Sequence, residues 1–190
     1  MHRRLWITIS LVILAALPLS ASQFRQLPFD QVARESTLIV RGTVTDVYSA
    51  WDDAHQTIFS YATVRVSKYI GEITGPDLLI VREAGGTVGD YTMEAIGFPE
   101  LREGEQVVLM LAKWDDSNDW RIHAYNQGKY LVRNLDGVET LVADPVKQGS
   151  ARDEHAPRMQ SEAIGMTMSE FEEMVVAARE GRLTPNQRSE

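Results

Sequence analysis

Leu38-Ile39-Val40-Arg41-Gly42-Thr43-Val44 decides the fold. Residues 38, 40, 42 and 44 fall on one side of an extended chain, and polar Arg41 and Thr43 fall on the other. A period of two with this β-branched content is a strand. Glycine on the inward side at 42 predicts a close backbone approach or the sharp bend of a barrel strand.

Downstream, the same signature recurs. Ser49 to Gln56 is polar and turn-forming and should connect strand one to a second strand over 57–70, with Ile58, Ala62, Val64 and Val66 on one face. Gly75-Pro76 lies in the next turn. A third strand over 78–83 ends in Ala84-Gly85-Gly86, and a further strand is expected over 88–94. Residues 107–112 are continuously apolar, as in a strand buried on both faces. Strands over 120–125, 129–134 and 138–142 complete the set, with Asp136-Gly137 as a type I′ hairpin signal.

Helical patterns bracket the strands. Phe29, Val32 and Ala33 share a face behind Pro28. Near the C-terminus, Phe171, Met174, Val175 and Ala178 form an i, i+3, i+4, i+7 stripe. Thr167-x-x-Glu170 and Ser169-x-x-Glu172 each offer a capping box there. The expected fold class is mainly β: an antiparallel OB-like barrel with a short N-terminal helix and a C-terminal helix, with a β-sandwich as the alternative. The boundaries read as signal peptide 1–21, lead-in 22–36, barrel 37–143, irregular segment 144–165, helix 166–182 and polar tail 183–190.

Met1-His2-Arg3-Arg4, the apolar run to Leu17 and Pro18-Leu19-Ser20-Ala21 have the three regions of a cleaved signal, with cleavage expected after Ala21. As a helix the apolar run spans about 20 Å, short of a ~30 Å hydrocarbon core, so no stable membrane anchor is expected. The protein is read as exported, periplasmic or secreted. A formal charge of −8 repels phosphate backbones and argues against nucleic acid as a partner. The sequence holds no cysteine, which removes thiolate zinc sites, thiol nucleophiles and disulfides.

Motifs for chemistry are sparse. Gly85-Gly86-x-x-Gly89 continues into strand-like residues instead of opening a helix, so a tight turn fits it better than a phosphate cradle. Asp115, Asp116 and Asp119 lack the glycine and glutamate of a calcium loop. Asp52, Asp53 and His55 are the weak metal candidates, and the expectation is no metal and no cofactor. His123 and His155 lie apart from them in sequence. Glu83 and Glu94 are the carboxylates that an acid/base hydrolase, a second alternative, would use. No catalytic residue is assigned. Aromatics at strand–loop junctions fit a binding face instead. The expected contact set is Trp51, Asp52, Tyr61, Gly85, Gly86, Gly89, Tyr91, Trp114 and Trp120, engaging an unknown protein or small ligand at one barrel end.

The strand-one residues, Trp51-Asp52, Tyr61-Ala62-Thr63-Val64-Arg65-Val66, Gly85-Gly86-x-x-Gly89, Gly104-Glu105-x-Val107-Val108-Leu109 and Gln127-Gly128-x-Tyr130 resemble a group of exported bacterial proteins of uncharacterised function. The early part is also similar to the first strand of the barrel in tissue inhibitors of metalloproteinases. That likeness implies an inhibitor or partner of an exported metalloprotease. In those inhibitors an N-terminal cysteine chelates the catalytic zinc; no cysteine is present here.

Overall fold

The computed structural model describes residues 26–95, 97–144 and 163–183. The signal segment, most of the irregular segment with His155, and the polar tail from 184 lie outside the described residues.

Helix α1 (Phe29–Glu35) leads into nine strands: β1 (Leu38–Trp51), β2 (Ile58–Tyr69), β3 (Leu78–Ala84), β4 (Gly86–Val88), β5 (Tyr91–Met93), β6 (Gln106–Lys113), β7 (Trp120–Ile122), β8 (Lys129–Leu135) and β9 (Val138–Ala143). A 3-10 turn (Tyr125–Gly128) precedes β8, and helix α2 (Met168–Arg179) ends the fold. The sheet runs β1-β2-β3-β7-β6-β8-β9 and closes on itself where β1 pairs with β6. Numbering the five barrel strands in chain order gives 1-2-3-5-4-1, consistent with an OB-like barrel. The fold is therefore mainly β and closed, not a sandwich.

One feature of the expected class is corrected. The barrel is mixed, because β3 and β7 run parallel, paired at Val81 and Trp120. Local differences follow from backbone geometry. β1 reaches Trp51, because the hairpin with β2 stays paired to Trp51↔Ile58, so the turn starts at Asp52 and not at Ser49. The single strand expected over 88–94 is a small hairpin, β4–β5, turning at Gly89-Asp90 with Gly89 at φ +60°. Strand 120–125 stops at Ile122, because Ala124 and Tyr125 both adopt φ +57° and start the 3-10 turn.

Bulges shape β1. Its register with β2 shifts between Arg41 and Gly42 and again between Val44 and Asp46. A Cβ added at Gly42 would lie 2.6 Å from the Arg65 carbonyl oxygen, so only glycine allows the strands to meet there.

Two hydrophobic clusters flank β6. Val107, Leu109 and Leu111 point into the barrel with Val40, Val44, Ala62, Val64, Leu79, Val81 and Ile122. Val108 and Met110 point outward and meet Phe29, Val32, Tyr130, Leu141, Phe171 and Val175 from the helices and the β8–β9 hairpin. Burial on both faces explains the unbroken apolar run. α2 is held at its start by a complete capping box, Thr167 with Glu170. Phe171 meets the rings of Phe29 and Tyr130 edge-on, at 5.7 and 5.5 Å. Among the described residues no helix is long and apolar enough to cross a membrane.

Candidate functional site

Beyond the part that pairs with β6, the β1–β2 hairpin continues as an arm with two faces. Register pairs in an antiparallel ladder share a face and alternate along it. Ser49↔Ser60 and Trp51↔Ile58 therefore point one way, and Tyr48↔Tyr61 and Ala50↔Phe59 point the other. This parity splits the expected contact set.

The inner face of the arm takes Trp51 and the glycine-rich segment. Ser49 and Ser60 hydroxyls lie 3.1 Å apart, and the Ser60 hydroxyl donates to the Gly85 carbonyl at 2.8 Å. Gly86, at φ +137°, lies directly over them: an added Cβ would come within 2.6 Å of Ser60 Oγ and closer to Ser49 Oγ. Gly85 and Gly86 thus let β4 settle onto the serines, and Gly89 makes a hairpin turn. No helix follows, so no phosphate cradle forms. Tyr91, 67% exposed, stands edge-on to Trp51 at 5.8 Å, and His55 stacks on Trp51 at 6.2 Å.

Asp52 shapes the turn. Its Oδ1 accepts from the backbone N–H groups of Gln56 (2.7 Å) and Thr57 (3.1 Å), and these bonds hold its carboxylate below the usual range. Asp53 and His55 are exposed. Among the described residues no three His, Asp or Glu side chains group closely enough to hold a metal ion.

The outer face carries a second set. Tyr48 and Tyr61 stack nearly parallel at 5.0 Å, and Tyr48 is 52% exposed. Across β2, Tyr61 pairs with Arg82, Thr63 with Ile80 and Arg65 with Leu78. Leu78 and Ile80 are exposed on β3, opposite Arg65 and Thr63, on the same face as the tyrosine stack. Trp114 closes one side. Its ring meets Phe59 at 5.9 Å, its Nε1 donates to the Arg82 carbonyl at 2.8 Å, and the Arg82 guanidinium lies between the two rings at 4.8 and 4.5 Å. Arg82 also pairs with Asp116 at 2.5 Å, which ties the 114–119 loop down.

Trp120 belongs to neither face. It packs against the barrel's interior cluster, with the Lys113 ammonium 4.2 Å over its ring. Trp51, Gly85, Gly86, Gly89 and Tyr91 thus share the arm's inner side, Tyr61 and Trp114 its outer side, and Trp120 sits apart against the barrel's interior cluster.

Composition does not single out Tyr48, Phe59, Ile80 or Arg82. The signal is there in the strand parity of 59, 61, 80 and 82, but it needs the β2–β3 register. Glu83 points into the barrel and is 5% exposed, whereas Glu94 is exposed after β5. Burial pushes the Glu83 carboxyl up to about 8, opposed by the Ile122 N–H, which donates to it at 2.5 Å, and by Arg121. His123 Nε2 lies 3.3 Å from Glu35 Oε2, facing α1. Against known proteins, the chain matches no family model and no curated sequence.

Proposed function

We propose that this chain is an exported, non-enzymatic binding module that engages a protein partner across the outer face of β1, β2 and β3. One observation carries the reading: the stacked Tyr48 and Tyr61 share the outer face with exposed Ile80 and Leu78. Aromatic and aliphatic groups gathered exposed on one face are a common mark of an interaction site. Tyrosine, tryptophan and arginine also dominate the energetics of protein interfaces. The tyrosine stack and the guanidinium over two rings are already assembled in the free chain, which lowers the ordering entropy that binding must overcome.

The test is capture from an exported-protein fraction by the mature chain, with each captured protein then titrated against variants. Tyr48→Ala combined with Ile80→Asp should weaken binding by about 30-fold or more, as loss of a hot spot does, while leaving the unfolding midpoint in place. Trp51→Ala, on the other face of the arm, should leave affinity unchanged. If Trp51→Ala abolishes binding and the outer-face pair does not, the partner sits on the arm's inner side and this reading falls.

A further inference from the structure

The barrel is sewn unevenly around its circumference. On its β6 side, the closing strand β7 has three register pairs, Leu111↔Ile122, Ala112↔Arg121 and Lys113↔Trp120, and the His123 N–H continues to the Met110 carbonyl. On its β3 side there is the single pair Val81↔Trp120. Above that pair the ladder passes to side chains. The Ile122 N–H donates to the Glu83 carboxyl at 2.5 Å, and the Arg82 carbonyl accepts from the Trp114 indole. A carboxyl thus occupies a position where a strand would offer a carbonyl.

We propose that Glu83 is a titratable latch on this seam: its protonated carboxyl holds β7 against β3, and its ionisation loosens the two strands.

The surroundings favour the neutral acid. Glu83 is buried, and the groups facing it from its neighbours carry no charge: Ser60 opposite it on β2, Ser49 beyond on β1, Ile122 on β7 and Leu111 on β6. Arg121 on β7 is the charge that favours ionisation. Arg82 is engaged on the outer face with Asp116, Lys113 lies over Trp120, and His123 faces Glu35 on α1. A buried carboxylate with one N–H donor is poorly compensated. Opening the seam lets water reach it, and the carboxyl then ionises as it would in an unfolded chain.

The direction follows from linkage. The closed seam keeps its proton up to about pH 8, and the open seam loses it near the ordinary value of 4.5. Between those limits the open state binds fewer protons, so opening becomes easier by up to about tenfold per pH unit, then levels off.

Amide hydrogen exchange on the full chain, corrected for intrinsic rates, reads this directly at Ile122. Its opening constant should rise steeply from pH 5 to pH 8 and flatten above, and it should exceed that of the buried β6 amides throughout. In Glu83→Gln, which keeps the acceptor without the charge, the rise should vanish. Carbon-13 titration of the wild-type carboxyl gives a second reading that needs no variant. An Ile122 constant that is flat with pH would overturn the latch. So would an unchanged slope in Glu83→Gln, exchange of Ile122 only at the β6 rate, or a Glu83 carboxyl titrating near 4.5.

Discussion

Lys129 places its ammonium wholly inside the protein, 2.8 Å from both Glu105 Oε2 and Asp144 Oδ2, and bonded also to the Glu100 carbonyl. Arg102 reaches the same two carboxylates from the surface side. Removing one member of such a set strands the others, so Lys129→Met should cost about 3–5 kcal/mol. Urea unfolding measures this, and a loss below about 1 kcal/mol would show that the carboxylates find other partners. Gly86→Ala meets a different obstacle, a hydroxyl pair already in contact distance and a φ that L residues avoid. It should destabilise by about 2 kcal/mol or more by the same measurement, whereas alanine at Gly89, with open space around it, meets backbone strain alone. Gly42 is readable from sequence because a glycine on the apolar side of a strand marks a backbone too close to admit a Cβ. Lys129 is not, because its partners come from 105 and 144, and nothing near 129 in sequence announces them.

Elements with local causes are legible in the sequence, and elements made by distant pairing are not. The Thr167/Glu170 box, the two positive-φ residues at Asp136-Gly137 and the doubly buried β6 all follow from neighbouring residues. Parallel pairing of β3 with β7 depends on where the barrel closes, which no local pattern encodes. The glycine-rich segment reads as turn plus strand, because Val88, Tyr91 and Met93 suit a strand whether or not Gly89-Asp90 folds it back. The outer-face set is hidden for the same reason: Ile80 and Tyr61 come to share a face only through register. For α2, Thr167→Ala should cost about 1 kcal/mol through its cap. Phe171→Ala, which opens a hole between α1, α2 and β8, should cost about 3–5 kcal/mol. Comparable losses for the two would mean that α2 is held mainly by its own first turn and not by packing.

For the whole molecule, Glu83 sets a slope on global stability as well as on the seam. Its folded-state pKa lies above the ordinary value, so the native state holds a proton that the unfolded chain lacks between about pH 4.5 and 8. Stability should therefore fall as pH rises through that window, on the order of a few kcal/mol at most, and be flat for this group below and above it. Urea midpoints for the wild type and Glu83→Gln across pH 5–9 should converge at the acid end and separate at the alkaline end, with the glutamine form the more stable. The long-range pairing of β1 with β6, Leu38 against Leu111, bears on time as well as on shape. A chain that has formed only β1, β2 and β3 is a curled sheet with one greasy side and no lid, and it waits for residues far down the polymer before it can close. Topologies of this kind fold in milliseconds to seconds. During that interval the same apolar side that later fills the barrel is open to chaperones, proteases and other half-finished copies.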